Sequence, residues 1–362
     1  MGKGIYFITG FPGFLSFNVI EELLKQERAS KIYLLHVPAM AAKAKEAVGR
    51  LMGRSETDIA LVEGDITEQH LGLSEEVLRD IRNSVDYVWH LAAIYDLAVP
   101  EKKAYKVNVE GTRHVNDFCA SLRGLKRYVY FSTAFIAGER KGVLREGELL
   151  KPNRFHNFYE QTKYEAEVLV ENMKDTLPVT IIRPGIVKGN SATGETVKFD
   201  GPYFIMNMFM RLSFLPWIPF LGGGESVINI VPVEYVVRAS VYLGHREGGE
   251  GKTYHLTDPE PITVKEVYEQ ILWHMLKKKP KGNIPLPLSH WALGFRPVRR
   301  YLRVEKEALD YFSMKSSFDC SQAQRDLQGT DIRCPSLSSQ VEKMVAFYLE
   351  HSSNEELHVK ID

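Results

Sequence analysis

At 362 residues, with 44% hydrophobic and 25% charged side chains, the chain can bury a substantial core and suits one large domain or two coupled ones. Its 46 basic residues balance 46 acidic ones, so charge gives no reason to expect nucleic acid as a partner. Three cysteines, Cys119, Cys320 and Cys334, are too few and too scattered for a disulfide frame or a zinc site; no metal is expected, and reduced thiols imply a cytoplasmic setting.

The first apolar run, Ile5 to Ile8, is strand-length rather than a signal peptide, and a glycine turn follows it at once. Phe14 to Gln26 reads as a helix, Lys31 to His36 as a strand, Ala39 to Met52 as a helix and Ile59 to Val62 as a strand. The alternation continues with a helix near Ser74 to Arg82, strand Val85 to His90, helix Glu101 to Leu122 and strand Arg127 to Phe131. Helix Asn157 to Lys174 and strand Val179 to Ile182 complete it. Short apolar strands separated by amphipathic helices predict an α/β fold, a doubly wound parallel sheet of Rossmann type with ligands at the carboxyl ends of its strands.

Residues 1–185 thus form the dinucleotide-binding domain, rejoined by a strand and helix near 227–245, the strand being Val227 to Val231. Residues 186–226 and 246–351 are expected to build a smaller, mostly helical substrate region, with helices at Thr263 to Lys277, Val304 to Phe312 and Leu337 to His351. The polar tail, 352–362, is expected to be flexible. Tyr203 to Leu221, rich in methionine and aromatics, reads as an acyl-binding wall, a buried helix and loop, or a peripheral membrane contact. The wider run Pro202 to Leu221 carries Asn207, Arg211, Pro216 and Pro219, which argue against a span.

Thr9-Gly10-Phe11-Pro12-Gly13-Phe14-Leu15-Ser16 follows the first strand and opens the first helix. Glycines there let the backbone approach a pyrophosphate, and the helix offers unpaired N–H groups and its positive dipole end. Ser16 stands where a third glycine is usual and is small enough to be tolerated. Asp65, with Ile66 beside it, follows the third strand and suits an adenine amino group. Leu91, Ala92 and Ala93 end the fourth with small side chains that leave room for a ribose. His36 ends the second strand, where an acid would bind the free ribose hydroxyls of NAD; the missing acid, with Lys43 and Lys45 nearby, favours NADP(H) over NAD(H).

Tyr159 and Lys163 lie four apart on one helix face, and a lysine beside a phenol is expected to lower its pKa and make it a usable acid. Ser132 and Thr133 end the fifth strand; alternation lets only one face the site, and Thr133 is the choice for the hydroxyl beside Tyr159.

These motifs, with Asn108-Val109-Glu110-Gly111-Thr112 and Arg183-Pro184-Gly185, resemble the extended short-chain dehydrogenase/reductase superfamily from about Lys3 to Glu260. The resemblance implies catalytic roles for Thr133, Tyr159 and Lys163. It also implies cofactor contacts from Asn108, Ser132, Pro184, Gly185, Ile186 and Val187, besides those above. Phe131 to Gly142, Leu71-Gly72-Leu73-Ser74 and Ile230 to Val236 are similar to the fatty acyl-CoA reductase and thioester reductase (male-sterility-type) branch. That branch implies NADPH-dependent reduction of an acyl thioester, acyl-CoA or carrier-bound, or of the derived aldehyde; no carrier domain is attached, so the thioester would come from elsewhere. A homodimer is the family's usual state. Two alternatives stay open: a ketone, hydroxysteroid or flavonol reductase, and a sugar-nucleotide epimerase. Ala134 and Phe135 stand where comparable dehydratases carry an Asp-Glu pair, which argues against dehydration.

Overall fold

The computed structural model describes residues 3–53, 56–222 and 224–361. In chain order the first half runs β1 (Gly4–Thr9), α1 (Phe14–Lys25), β2 (Ala29–His36), α2 (Ala41–Leu51), β3 (Asp58–Glu63), α3 (Glu75–Ser84) and β4 (Tyr87–His90). A continuous helical rod follows, α4 (Glu101–Ala104), a π turn (Tyr105–Glu110) and α5 (Gly111–Ser121), and then β5 (Arg127–Phe131), β6 (Gly142–Leu144), α6 (Phe158–Glu171) and β7 (Val179–Pro184). The second half contributes β8 (Ile186–Lys188), α7 (Tyr203–Arg211), β9 (Phe220–Leu221), β10 (Ile230–Pro232), α8 (Val233–His245) and β11 (Thr253–Leu256). It closes with α9 (Val264–Leu276), β12 (Asn283–Ile284), α10 (Leu286–Leu293), α11 (Arg296–Leu302), β13 (Ser316–Phe318), α12 (Ser321–Asp326) and α13 (Val341–His351).

Seven strands form one parallel sheet in the order β11-β7-β5-β4-β1-β2-β3. The expected doubly wound architecture is present. Alternation along β1 explains its two covered faces. Tyr6 and Ile8 enter a core with Val19, Ile20 and Leu23 of α1 and Val236 and Ala239 of α8. Phe7 enters another with Leu78 and Ile81 of α3, Val115 and Phe118 of α5 and Ala166 of α6. Strand order reverses between β1 and β4, the place where such sheets open a ligand crevice.

Three expectations are corrected. The strand near 227–231 is β10, which pairs with β8 outside the main sheet. The strand that joins the sheet is β11, paired with β7 and buried along its length, inside the range assigned to the substrate region. Lys306–Ser313 winds as a 3-10 segment where a helix over Val304 to Phe312 is predicted. The tail is docked rather than flexible. Its backbone accepts from Phe199 N at 2.6 Å through Leu357, Arg303 pairs with Glu355 at 2.7 Å, and Leu357, Val359 and Ile361 cover apolar surface.

The substrate region has its own core, in which Phe204 and Phe209 of α7, Tyr268 and Ile271 of α9, and Met344 and Tyr348 of α13 pack together. Tyr203 to Phe209 is buried, so α7 itself is a core helix, while Phe214 and Trp217 further along the 203–221 stretch are exposed. No described helix is long and apolar enough to cross a membrane.

Candidate functional site

A cavity of about 1040 Å³ opens at the carboxyl ends of β1, β2, β4 and β5 and continues under α7 and the 304–312 segment. One arm is bordered by the glycine turn, the ends of β2 and β3, and Leu91 to Ala93; the other by Phe204, Met208, Leu221, Leu309 and Phe312. Phe131 to Thr133, Tyr159, Lys163 and Pro184 to Val187 also border it.

The turn is shaped by backbone. Gly10 has φ +85°, and a Cβ there would come within 2.7 Å of Ala92 N; one on Gly13 would meet Gly10 O at 2.7 Å. Ser16 does more than fit. Its hydroxyl lies 2.9 Å from both Gly10 O and Gly13 O and laces the turn to α1. The N-terminus of α1 has no side-chain cap and no acid in its first turn, which leaves its N–H groups to an anion.

Gly10, Phe11, Pro12, Gly13, Phe14, Leu15, His36, Asp65, Ile66, Leu91, Ala92 and Ala93 all border the cavity. Thr9 and Asn108 do not; their side chains hold the cavity wall from behind. Thr9 Oγ1 accepts from Ala92 N at 3.1 Å and lies 2.8 Å from His90 Nδ1. Thr112 gives its hydrogen to Asn108 O at 2.6 Å, so His90 Nε2 donates to Thr112 at 3.1 Å and Nδ1 accepts from Thr9. Burial lowers the His90 pKa to about 3, Lys163 adding to the effect, and keeps the ring neutral. Asn108 Oδ1 accepts from Ile94 N at 2.8 Å and its amide donates to Thr162 at 3.0 Å, fastening the loop after β4 to α6. Asp65 Oδ1 accepts from Thr67 N at 2.8 Å. Lys43 and Lys45 lie outside the cavity wall.

Ser132 and Thr133 both border the cavity, against the expectation that only one would, because the strand ends at Phe131 and Thr133 caps a 3-10 turn. Ser132 Oγ is buried without a hydrogen-bond partner, and Thr133 Oγ1 accepts from Phe135 N at 3.3 Å. Asn157 caps α6 through Glu160 N at 2.9 Å and sets the phase that turns Tyr159 and Lys163 inward.

The expected lowering of the Tyr159 pKa by Lys163 is not found. Burial raises it above the usual phenol range, a hydrogen bond with Thr133 opposes that rise, and Glu160 adds to it. Lys163 instead donates to Phe131 O at 2.6 Å and Tyr130 OH at 2.9 Å, and burial lowers its own pKa to about 7, against the pull of Glu167. Thr133, not Lys163, is the neighbour that favours the ionised phenol, and burial outweighs it.

The 203–221 stretch lines the cavity through Phe204, Ile205, Met208 and Leu221, as an acyl-binding wall would, but sequence reasoning missed the part of the substrate arm beside Tyr159. Phe135, Tyr311 and Leu97 pack around Tyr159, and Tyr311 OH donates to the buried Glu160 Oε1 at 3.1 Å. His156 Nδ1 lies 2.9 Å from the other oxygen of that carboxylate. No local motif marks Leu97, His156 or Tyr311, which distant segments bring to Phe135 and Tyr159.

A doubly wound sheet whose crevice is bordered by a glycine turn and by Thr133, Tyr159 and Lys163 defines an extended short-chain dehydrogenase/reductase type of oxidoreductase. Residues 8–240, well over half of the chain, match the family described as Male sterility protein, and the chain belongs to that NAD(P)-binding family of acyl-CoA and thioester reductases. It is similar to the non-canonical nonribosomal peptide synthetase cpsA of Aspergillus campestris, 28% identical over 311 residues, 80% of this chain and 29% of that protein. It is also similar to the fatty acyl-CoA reductase wat of Drosophila melanogaster, 28% identical over 277 residues, 66% of this chain and 53% of that protein. The chain thus spans between about a third and about half of the length of these relatives. Among solved structures, the terminal R domain from the myxalamid PKS-NRPS biosynthetic pathway superposes with a TM-score of 0.83 at 26% identity, covering 98% of this chain and 93% of that one.

Proposed function

We propose that the protein reduces an acyl thioester, or the aldehyde derived from it, with NADPH. The observation that carries this reading is the Thr133–Tyr159 pair at the junction of a phosphate-ready arm and an apolar arm of one cavity. The glycines without Cβ, the uncapped N-terminus of α1 and the unpartnered Ser132 hydroxyl fit a reduced dinucleotide, which when bound supplies a hydride. Gly10 to Leu15 would hold its pyrophosphate, Asp65 and Ile66 its adenine, Lys163 and Tyr159 the nicotinamide ribose, and Pro184 to Val187 the nicotinamide. Reading of a 2′-phosphate is supported by the missing carboxylate at the end of β2, where His36 stands.

At the carbonyl, Thr133 and Tyr159 donate to the oxygen as charge develops on it. A phenol kept protonated by burial is a donor throughout the neutral range, and it gives its proton to the oxygen. Collapse of the resulting hemithioacetal breaks the carbon–sulfur bond and releases aldehyde and thiol, so one thioester and one hydride equivalent, with a proton, give one aldehyde and one thiol. The apolar arm, with Phe204, Met208 and Leu309, excludes water and seats an acyl chain.

The test is NADPH consumption by the purified chain with a long-chain acyl-CoA, a fatty aldehyde, a small ketone and a UDP-sugar in parallel. Consumption with the acyl-CoA, matched by free thiol released, is expected. Turnover of the ketone alone, or epimerisation of the sugar without net consumption, would refute the proposal.

A further inference from the structure

The acyl end of the cavity lies beneath an exposed face of unusual composition. Of the four tryptophans only Trp89 is buried; Trp217, Trp273 and Trp291 are 49%, 47% and 65% exposed. Phe214, Phe295 and Tyr301 are exposed beside them at 72%, 49% and 53%. Contacts tie the segments that carry them together, and Lys281 N donates to Ile218 O at 3.0 Å next to Trp217. Lys278 Nζ donates to Ser213 O at 2.8 Å and Leu215 O at 2.6 Å, which fixes the Phe214 turn against the end of α9. On its other side, Tyr301 of α11 donates to Arg211 O at 3.2 Å. Trp291 and Phe295 stack edge to face at 5.0 Å in the α10–α11 corner.

The segment that builds most of this face is basic, and the acids that reach it, Asp310 at His290 and Glu355 at Arg303, are paired. Between Glu269 and Glu305 the chain has no acidic residue, but four lysines from Lys277 to Lys281 and four arginines from Arg296 to Arg303. The whole chain is neutral, so this segment is a local excess and not a general trend. Arg303 is engaged by Glu355, while Lys277, Lys279, Lys281, Arg296 and Arg300 are exposed.

We propose that this face seats the protein on an anionic phospholipid surface. Aromatic rings with a polar edge favour the headgroup level of a bilayer, and lysines and arginines around them gain from anionic lipid. Exposed tryptophans and phenylalanines in water gain nothing from remaining there. The geometry also serves the substrate arm. The helix that ends at the Phe214 turn is α7, whose Phe204, Ile205 and Met208 line the cavity, and Val304 and Leu221 line it from the α11 and β9 sides. Docking would bring the apolar arm to the bilayer surface, where long acyl chains are held. This differs from a contact made by α7 itself, which is buried.

The test uses the full chain and vesicles of phosphatidylcholine, alone or with about a third of phosphatidylserine, without substrate or nucleotide, so its outcome is independent of the reaction assigned above. Co-sedimentation with the anionic vesicles only, lost at high salt, is expected, with a blue shift of tryptophan emission from Trp217, Trp273 and Trp291. The charge-reversed variant Lys279→Glu/Lys281→Glu/Arg296→Glu/Arg300→Glu should partition at least about tenfold more weakly, and Trp217→Ala/Trp291→Ala should lose most of the blue shift. The charge-reversed variant should keep the wild-type melting temperature, since its four side chains are exposed, whereas Trp217→Ala/Trp291→Ala gives up the Trp291–Phe295 stacking and is compared at a temperature where circular dichroism shows it folded. Absence of vesicle binding, equal binding to neutral vesicles, or an unaffected quadruple variant would overturn the proposal. So would binding of an acidic acyl carrier protein, abolished by the same substitutions, in a protein that ignores vesicles.

Discussion

Replacing Gly10 with alanine should damage both the fold and the nucleotide site, and the two effects can be separated. At φ +85° an L-residue is strained by about 1–2 kcal/mol. Its Cβ would also lie 2.7 Å from Ala92 N and 2.8 Å from Leu91 C, both backbone atoms that cannot swing aside. Forcing them apart adds about 1–3 kcal/mol, by analogy with overpacked cores. The total, roughly 2–5 kcal/mol, lowers the melting temperature of a chain this long by roughly 3–7 °C. Because Leu91 and Ala92 border the cavity, relief of the clash displaces the wall opposite the glycine turn, and NADPH affinity should fall at least about tenfold. Gly124→Ala is the matched control, since a Cβ there meets nothing within 4 Å; its stability should change by less than about 0.5 kcal/mol. Scanning calorimetry and isothermal titration with NADPH measure the two quantities. A Gly10→Ala protein with unchanged melting and unchanged affinity would refute the steric reasoning outright.

Tyr159→Phe should lower kcat about 100- to 1000-fold while weakening NADPH binding by no more than about tenfold, the loss of one ribose hydrogen bond, and Thr133→Ser should retain far more activity than Thr133→Ala; steady-state kinetics with nucleotide titrations decide both. Glu167→Gln should cost about 3–5 kcal/mol in urea unfolding, because it strands Arg183, which is buried and donates to Glu167 Oε1 through Nε at 2.8 Å. His156 gives a pH signature. Burial opposes its charged form, but the hydrogen bond and charge of Glu160 outweigh burial, with Asp310 and Glu139 assisting, so its pKa lies above 6.5. A histidine raised in the folded state stabilises fully below the unfolded value and loses that contribution as pH rises through the folded one. The melting-temperature gap between wild type and His156→Gln should therefore be widest below pH 6.5 and close above the raised value; a gap independent of pH would count against it.

What the sequence could show depended on how locally each feature is encoded. The glycine turn was legible because its demand is on backbone, and Gly10 and Gly13 meet that demand within four residues. The sheet was legible because each apolar strand is bounded by its own turn. β11 was not, since Thr253-Tyr254-His255-Leu256 alternates polar and apolar residues yet is buried throughout, its polar groups answered by distant partners such as Asp326 for Tyr254 OH at 2.7 Å. Asn108 and Thr9 show what a motif leaves out. Each belongs to a motif that surrounds the cofactor cleft, but their side chains act one layer behind it, and a motif records position in sequence without recording depth. The substrate arm lies furthest from local encoding. Tyr311 reaches Glu160 across 151 residues, and that bond places its ring against Phe135 beside Tyr159. A sequence can announce that a phenol and a lysine share a helix face; which phenol the lysine touches is settled by the neighbouring strand, and here it is Tyr130 and not Tyr159. The consequence is chemical: acidity at Tyr159 is governed by burial and Thr133, so substitutions around the substrate arm that admit water should shift the pH dependence of turnover more than changes along α6 itself.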